Sequence, residues 1–122
     1  MEKVLLSIVS NKKLTENVYE MKLEGDVSAI TAPGQFVEIK IDDCFLRRPI
    51  SVCDTDGDTL TIIYKTVGKG TDKMSAFLPG KTLDILTGLG NGYDLTVSGG
   101  KPLLVGGGVG VPPLYKLSKQ LI

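Results

Sequence analysis

Two guanidinium groups, Arg47 and Arg48, stand against Pro49 at the head of the stretch LRRPISVCD. A half-buried strand has little use for paired cations unless they reach water or hold an anion. Arg48 offers a permanent charge and a planar fork that matches two oxygens, the geometry of a phosphate or diphosphate. Pro49 fixes the backbone and removes a donor. Ile50 offers an apolar face, and Ser51 a hydroxyl. A second stretch, IIYKTVGKGT (Ile62–Thr71), sets Ile63, Tyr64 and Lys65 on a strand and Gly70 and Thr71 at the start of a short helix. Main-chain N–H groups at such a start favour phosphate, and glycine allows close approach. A third, GGGVGVPP, puts Gly106, Gly107, Gly108 and Gly110 between an apolar strand and a helix, where a dinucleotide turn belongs. Val111 occupies the third glycine position of G-x-G-x-x-G. The alternatives are structural: a solvated edge strand, a hairpin followed by a capped surface helix, and a tightly packed turn.

The rest of the composition limits what chemistry is available. There is no histidine, which removes the commonest general base and metal ligand, so any redox or group-transfer activity falls to a cofactor. Lysine plus arginine and aspartate plus glutamate are each 14, so the basic excess of a nucleic-acid or membrane-surface binder is missing. Cys44 and Cys53 are too few for a disulfide scaffold and match no zinc or redox spacing; they read as reduced thiols of a cytoplasmic protein. No apolar run approaches the ~18 residues of a membrane span, and the N-terminal MEKVLLSIVSNKK does not have the form of a signal peptide.

The elements that must position these groups are mostly strands. VLLSIVSNKKL, VYEMKLEG, QFVEIKID, PISVCD, TLTIIYKTV and KTLDILTGLG recur with turn residues between them, the pattern of an antiparallel barrel or sandwich. In the second, Val18, Met21 and Leu23 are the expected core contacts, although the alternation slips between the first two. Asp56-Gly57 is the expected hairpin turn. Thr71 is expected to cap a helix over 72–77, ended by Pro79-Gly80. From Pro102 the character changes to strand, glycine turn and a helix with Pro112 and Pro113 near its first turn and a stripe of Leu114, Leu117 and Leu121. NGYDLTVSGG reads as the loop before it.

Taken in order, LRRPISV, TIIYKTVGKGT, GLGNGYDL and LLVGGGVGVPPLYKLSKQL resemble the ferredoxin-reductase-like flavoproteins. Within them the likeness is to the electron-transfer subunits of NAD-dependent, class B dihydroorotate dehydrogenases; APGQFVEIKI resembles that family's entry to its flavin strand. The resemblance implies a mainly β fold: a six-stranded antiparallel Greek-key barrel with one short helix over residues 1–98, binding FAD. It implies that 99–122 is the first β-α unit of a truncated NAD-binding α/β domain.

Carried over by position, the FAD contacts are Arg48, Pro49, Ile50 and Ser51, then Ile63, Tyr64 and Lys65, then Gly70 and Thr71. Gly106, Gly107, Gly108 and Gly110 open the NAD site. None is an acid-base catalyst; they hold the cofactor, exclude water and set its potential. The likeness further implies a catalytic FMN subunit as partner in a hetero-oligomer, a 2Fe-2S cluster whose cysteine ligands are absent here, and a role in pyrimidine biosynthesis. A chain ending at Ile122 is expected not to complete electron transfer alone. Two positions depart from the wider family: Ile50 stands where a tyrosine is frequent, and Thr87-Gly88 where Gly-Pro is frequent. A sulfhydrogenase or ferredoxin-NADP reductase subunit, or a docking module without cofactor, are the other readings.

Overall fold

A computed structural model describes residues 2–31, 35–42, 44, 46–90 and 115. Six strands and one helix run β1 (Glu2–Thr15), β2 (Val18–Glu24), β3 (Phe36–Ile39), β4 (Arg48–Asp56), β5 (Thr59–Lys65), α1 (Lys69–Ser75) and β6 (Thr82–Leu89). The strands close into a barrel in the order β1-β2-β5-β4-β3-β6. Every neighbouring pair is antiparallel. β3, β4 and β5 are consecutive neighbours and β6 returns beside β3, which is the Greek-key order.

Period-two alternation fills the interior. Leu6 and Ile8 of β1, Met21 and Leu23 of β2, Val37 and Ile39 of β3, Val52 of β4, Leu60, Ile62 and Tyr64 of β5, and Leu83 and Ile85 of β6 are all buried. The slip anticipated in β2 has a simple cause. Tyr19, not Val18, shares a face with Met21 and Leu23, and it packs against the core with its ring stacked on Tyr64 at 5.7 Å. The hairpin between β4 and β5 turns at Gly57 and Asp58, one residue later than expected, because Asp56 still pairs with Thr59. Gly57 takes φ +61°, a left-handed conformation that glycine adopts without steric penalty.

α1 also begins earlier than expected. Its N-cap is Gly68, so Thr71 lies within the first turn and not at the cap. The Thr71 hydroxyl still does the capping, from the opposite direction. It accepts from the N–H groups of Val67 (3.0 Å) and Gly68 (3.2 Å) and contacts the Gly68 carbonyl at 3.2 Å. Met74 of α1 is fully buried in the barrel core. Among the described residues no helix is long and apolar enough to cross a membrane. The boundary expected at 98/99, the loop at 91–100 and Gly106, Gly107, Gly108 and Gly110 lie outside the described residues; of the helix expected beyond them, Tyr115 alone is described, and it is helical.

Candidate functional site

The ladder between β4 and β5 stops at Val52–Ile62. Beyond that point the two strands part. Arg48 to Ser51 continue in register with β3, while Ile63 to Lys65 continue in register with β2. A β-bulge at Cys53 marks the start of the divergence, since Val52 and Asp54 face consecutive residues of β5. The main-chain groups that face one another across the parted ends are therefore not paired strand to strand. A cleft of about 410 Å³ lies between them, lined by Arg48, Pro49, Ile50, Ser51, Ile63, Tyr64, Lys65, Val67 and Thr71. That volume is within the ~300–1,000 Å³ usual for small-molecule sites. Eight of the nine residues picked out in the first two sequence stretches line one place, and the ninth, Gly70, lies beside it against Arg48; Arg48 and Thr71 border the same hollow.

The paired arginines separate in role. Arg47 turns away from the cleft. Its guanidinium donates to the Asp84 carboxylate at 2.9 Å and to the main-chain oxygens of Asp84 (3.1 Å) and Glu38 (3.4 Å), tying β4 to β3 and β6. Lys3 reaches the other Asp84 oxygen at 3.2 Å. Burial alone would raise the Asp84 pKa; the hydrogen bonds and charges of Arg47 and Lys3 outweigh it and hold the carboxyl below its ordinary value. Arg48, by contrast, pairs with no carboxylate among the described residues. It lies along the backbone of Gly70: a methyl group there would collide with Nε, with Cγ and Cδ at 2.8 and 2.9 Å. Glycine at this position in α1 is what lets the guanidinium lie against the helix. Among the described residues no Asp or Glu lines the cleft, and the charged side chains that do are Arg48 and Lys65. In a chain of zero net charge, two cations thus border one hollow with no described carboxylate beside them.

Apolar surface supplies the rest of the wall, from Pro49, Ile50, Ile63 and Val67. Tyr64 borders the cleft but is 1% exposed, and its hydroxyl donates to Asn11 Oδ1 at 2.7 Å. Burial pushes its pKa up to about 12, against the opposing effect of the Asn11 bond and with a smaller rise from Tyr19. Its phenol is therefore a structural group, and what it shows the cleft is not an ionisable hydroxyl. The Thr71 hydroxyl is similarly committed to the cap.

Sequence reasoning missed three residues that shape the site. Asn11 ties β1 to α1 and β5. Gln35 accepts from Thr31 N–H (2.8 Å) and donates to the Gly90 carbonyl (3.3 Å), bracing the end of β6. Asp84 pairs with Arg47. All three act across long stretches of chain, and no local pattern announces them. Thr87, at one of the departures from the family pattern, is fully buried inside the barrel and donates to the Glu2 carbonyl at 3.4 Å.

No family model matches the chain. Among solved structures it superposes on an NADH-dependent reduced ferredoxin-NADP oxidoreductase with a TM-score of 0.87 and 36% identity, over 97% of this chain and 44% of that one. Phthalate dioxygenase reductase shares the fold at a TM-score of 0.82 and 19% identity, over 98% of this chain and 39% of the other. The barrel is thus of the ferredoxin-reductase-like class. The sequence narrows this further. The chain is 46% identical over 129 aligned positions to the "Dihydroorotate dehydrogenase B (NAD(+)), electron transfer subunit" of Bacillus pumilus, covering 99% of this chain and 50% of that protein. It is 45% identical over 130 positions to the subunit of the same name from Geobacillus sp. (strain WCH70), covering 100% and 51%. The chain belongs to this family of electron-transfer subunits and spans about half the length of the curated relatives it matches, which fits an N-terminal portion.

Proposed function

We propose that the cleft between the parted ends of β4 and β5 holds FAD, and that the protein is the flavin-bearing electron-transfer part of a class B dihydroorotate dehydrogenase. In this reading electrons reach FAD from a catalytic FMN subunit through a 2Fe-2S centre and leave to NAD+, in pyrimidine biosynthesis in the cytoplasm. FAD supplies the conversion between single-electron and hydride chemistry that such a relay needs. The residues present fit that group. Arg48, unpaired by any described carboxylate and laid against Gly70, binds the diphosphate with a fork of donors. First-turn N–H groups of Gly70 and Thr71, which a helix leaves without intrahelical partners, add donors beside it. Ile50 and Ile63 cover the flat apolar faces of the ring system and exclude water. Ser51 holds a hydrogen bond to its polar edge, and the main chain of Tyr64 and Lys65 lines the side chain of the flavin. Beyond the barrel, 99–122 begins the NAD-binding domain, with Gly106, Gly107, Gly108 and Gly110 at its dinucleotide turn.

The observation that carries the reading is the placement of Arg48 on Gly70 at a cleft that no described carboxylate lines. Its test is direct. Any bound cofactor is released by denaturation and identified by mass, and FAD binding is then titrated. Arg48→Ala is expected to weaken FAD by about 1.5–3 kcal/mol, the contribution of a charge-assisted hydrogen bond. Affinity unchanged by that substitution, or a folded protein that ignores added FAD, overturns the assignment. The 36% identity to the NADH-dependent reduced ferredoxin-NADP oxidoreductase supports a second reading, in which the same FAD module serves a different electron donor. Co-purification with a dihydroorotate-oxidising subunit separates the two.

A further inference from the structure

We infer that Asn11, far from the cleft in sequence and outside it in space, is a positioning residue that fixes α1, which borders the cleft, to β5, one of its walls. The inference rests on the reading that the cleft holds FAD.

β1 pairs with β6 only from Glu2 to Ser7 and continues alone beside β2 as far as Thr15. On the side that β6 leaves, α1 and the segment after it fill the gap: Gly80 N–H donates to the Ile8 carbonyl and Ile8 N–H to the Lys81 carbonyl, both at 2.8 Å. Asn11 sits on this extension between two register shifts of β1. Its Nδ2 donates to the carbonyl of Met74 (2.8 Å), which also accepts from Phe77 N–H, and to that of Phe77 (3.1 Å), just beyond the C-terminal end of α1. Its Oδ1 accepts from Tyr64 of β5 at 2.7 Å.

One amide therefore joins the helix that carries Gly70 and Thr71 to the strand that carries Ile63 and Lys65. The amide's orientation is set by chemistry: two carbonyls require the NH2 end, which leaves the oxygen for the phenol. A bridge of this kind holds Gly70 where Arg48 lies against it. Pre-set donors bind a ligand without first having to be ordered. Aspartate at the position keeps an acceptor for Tyr64 but sets a carboxylate against two carbonyls, releasing α1 alone. Tyr64→Phe releases β5 alone.

FAD binding is titrated for the wild-type chain, Asn11→Ala, Asn11→Asp and Tyr64→Phe at a temperature where each is folded. Hydrogen exchange of the α1 amides is followed in the cofactor-free proteins. The expectation is FAD affinity lowered roughly tenfold in Asn11→Ala, the equivalent of one ordinary hydrogen bond. Asn11→Asp should fall with it, Tyr64→Phe should fall less, and α1 amides should exchange faster in both Asn11 variants. A purely structural role would lower the melting temperature and leave the affinity of the folded protein unchanged, and that result overturns the inference. Should Asn11→Ala not fold, Asn11→Asp and Tyr64→Phe carry the same comparison. If the wild-type chain itself fails to bind FAD, the cofactor reading falls and this one with it; wild-type binding with undiminished variants sinks this one only.

Discussion

A methyl group on Gly70 would run into Arg48 Nε, an atom of a flexible side chain and not of the backbone. Alanine is also the better helix former, by about 1 kcal/mol in a helix interior. Gly70→Ala is therefore expected to leave the stability of the fold equal or slightly raised, measured by urea denaturation, while displacing Arg48 and lowering FAD affinity as far as Arg48→Ala does. Loss of stability together with unchanged FAD affinity would refute that account. At this scale the sequence is half legible. The chemistry of Arg48, Gly70 and Thr71 shows in their types and order. The different fate of Arg47 does not, because it depends on Asp84, which lies 37 residues away and on another strand. Asn11 is further removed still, 63 residues from the carbonyl it bonds.

Strands carry these groups, and the seam around β6 shows how they are held. Asp84 on β6 receives Lys3 from β1 and Arg47 at the head of β4, so one carboxylate joins three strands. Its pKa is depressed from the ordinary 3.8. A carboxyl that is more acidic folded than unfolded contributes stability above its unfolded pKa, and loses that contribution as the pH falls through the folded value. Acid titration of the folding equilibrium should therefore steepen below about pH 4, where unfolded aspartates begin to protonate. Asp84→Asn should be less stable than wild type near neutrality and converge on it in acid. Parallel curves would remove Asp84 from the account. Element type was readable from alternation, since Leu83 and Ile85 face inward and Thr82 and Asp84 do not. Element starts were less so: Thr71 has the residue type of a cap, but Gly68 takes the N-cap and the threonine hydroxyl bonds backwards to it.

The described barrel rests on one interior. Leu60 is fully buried on β5, which pairs with β2 and β4. Leu60→Ala is expected to destabilise the protein by about 2–5 kcal/mol, with the denaturant slope unchanged. A cost below that range would mean the interior relaxes around the loss. Turn spacing pointed to an antiparallel barrel or sandwich and the family resemblance implied six strands in a barrel, but the parting of β4 and β5 followed from neither. It arises from competing partners, β3 on one side and β2 on the other, which no single strand's sequence encodes. Closure has a last consequence, for association. A ring of strands that meets itself has no edge strand, so unpaired main-chain N–H and C=O groups are confined to stretches where a ladder has ended, such as the parted ends of β4 and β5. Along the paired wall another polypeptide finds no edge strand to extend, so recognition between chains there has to be written in side chains and connecting segments.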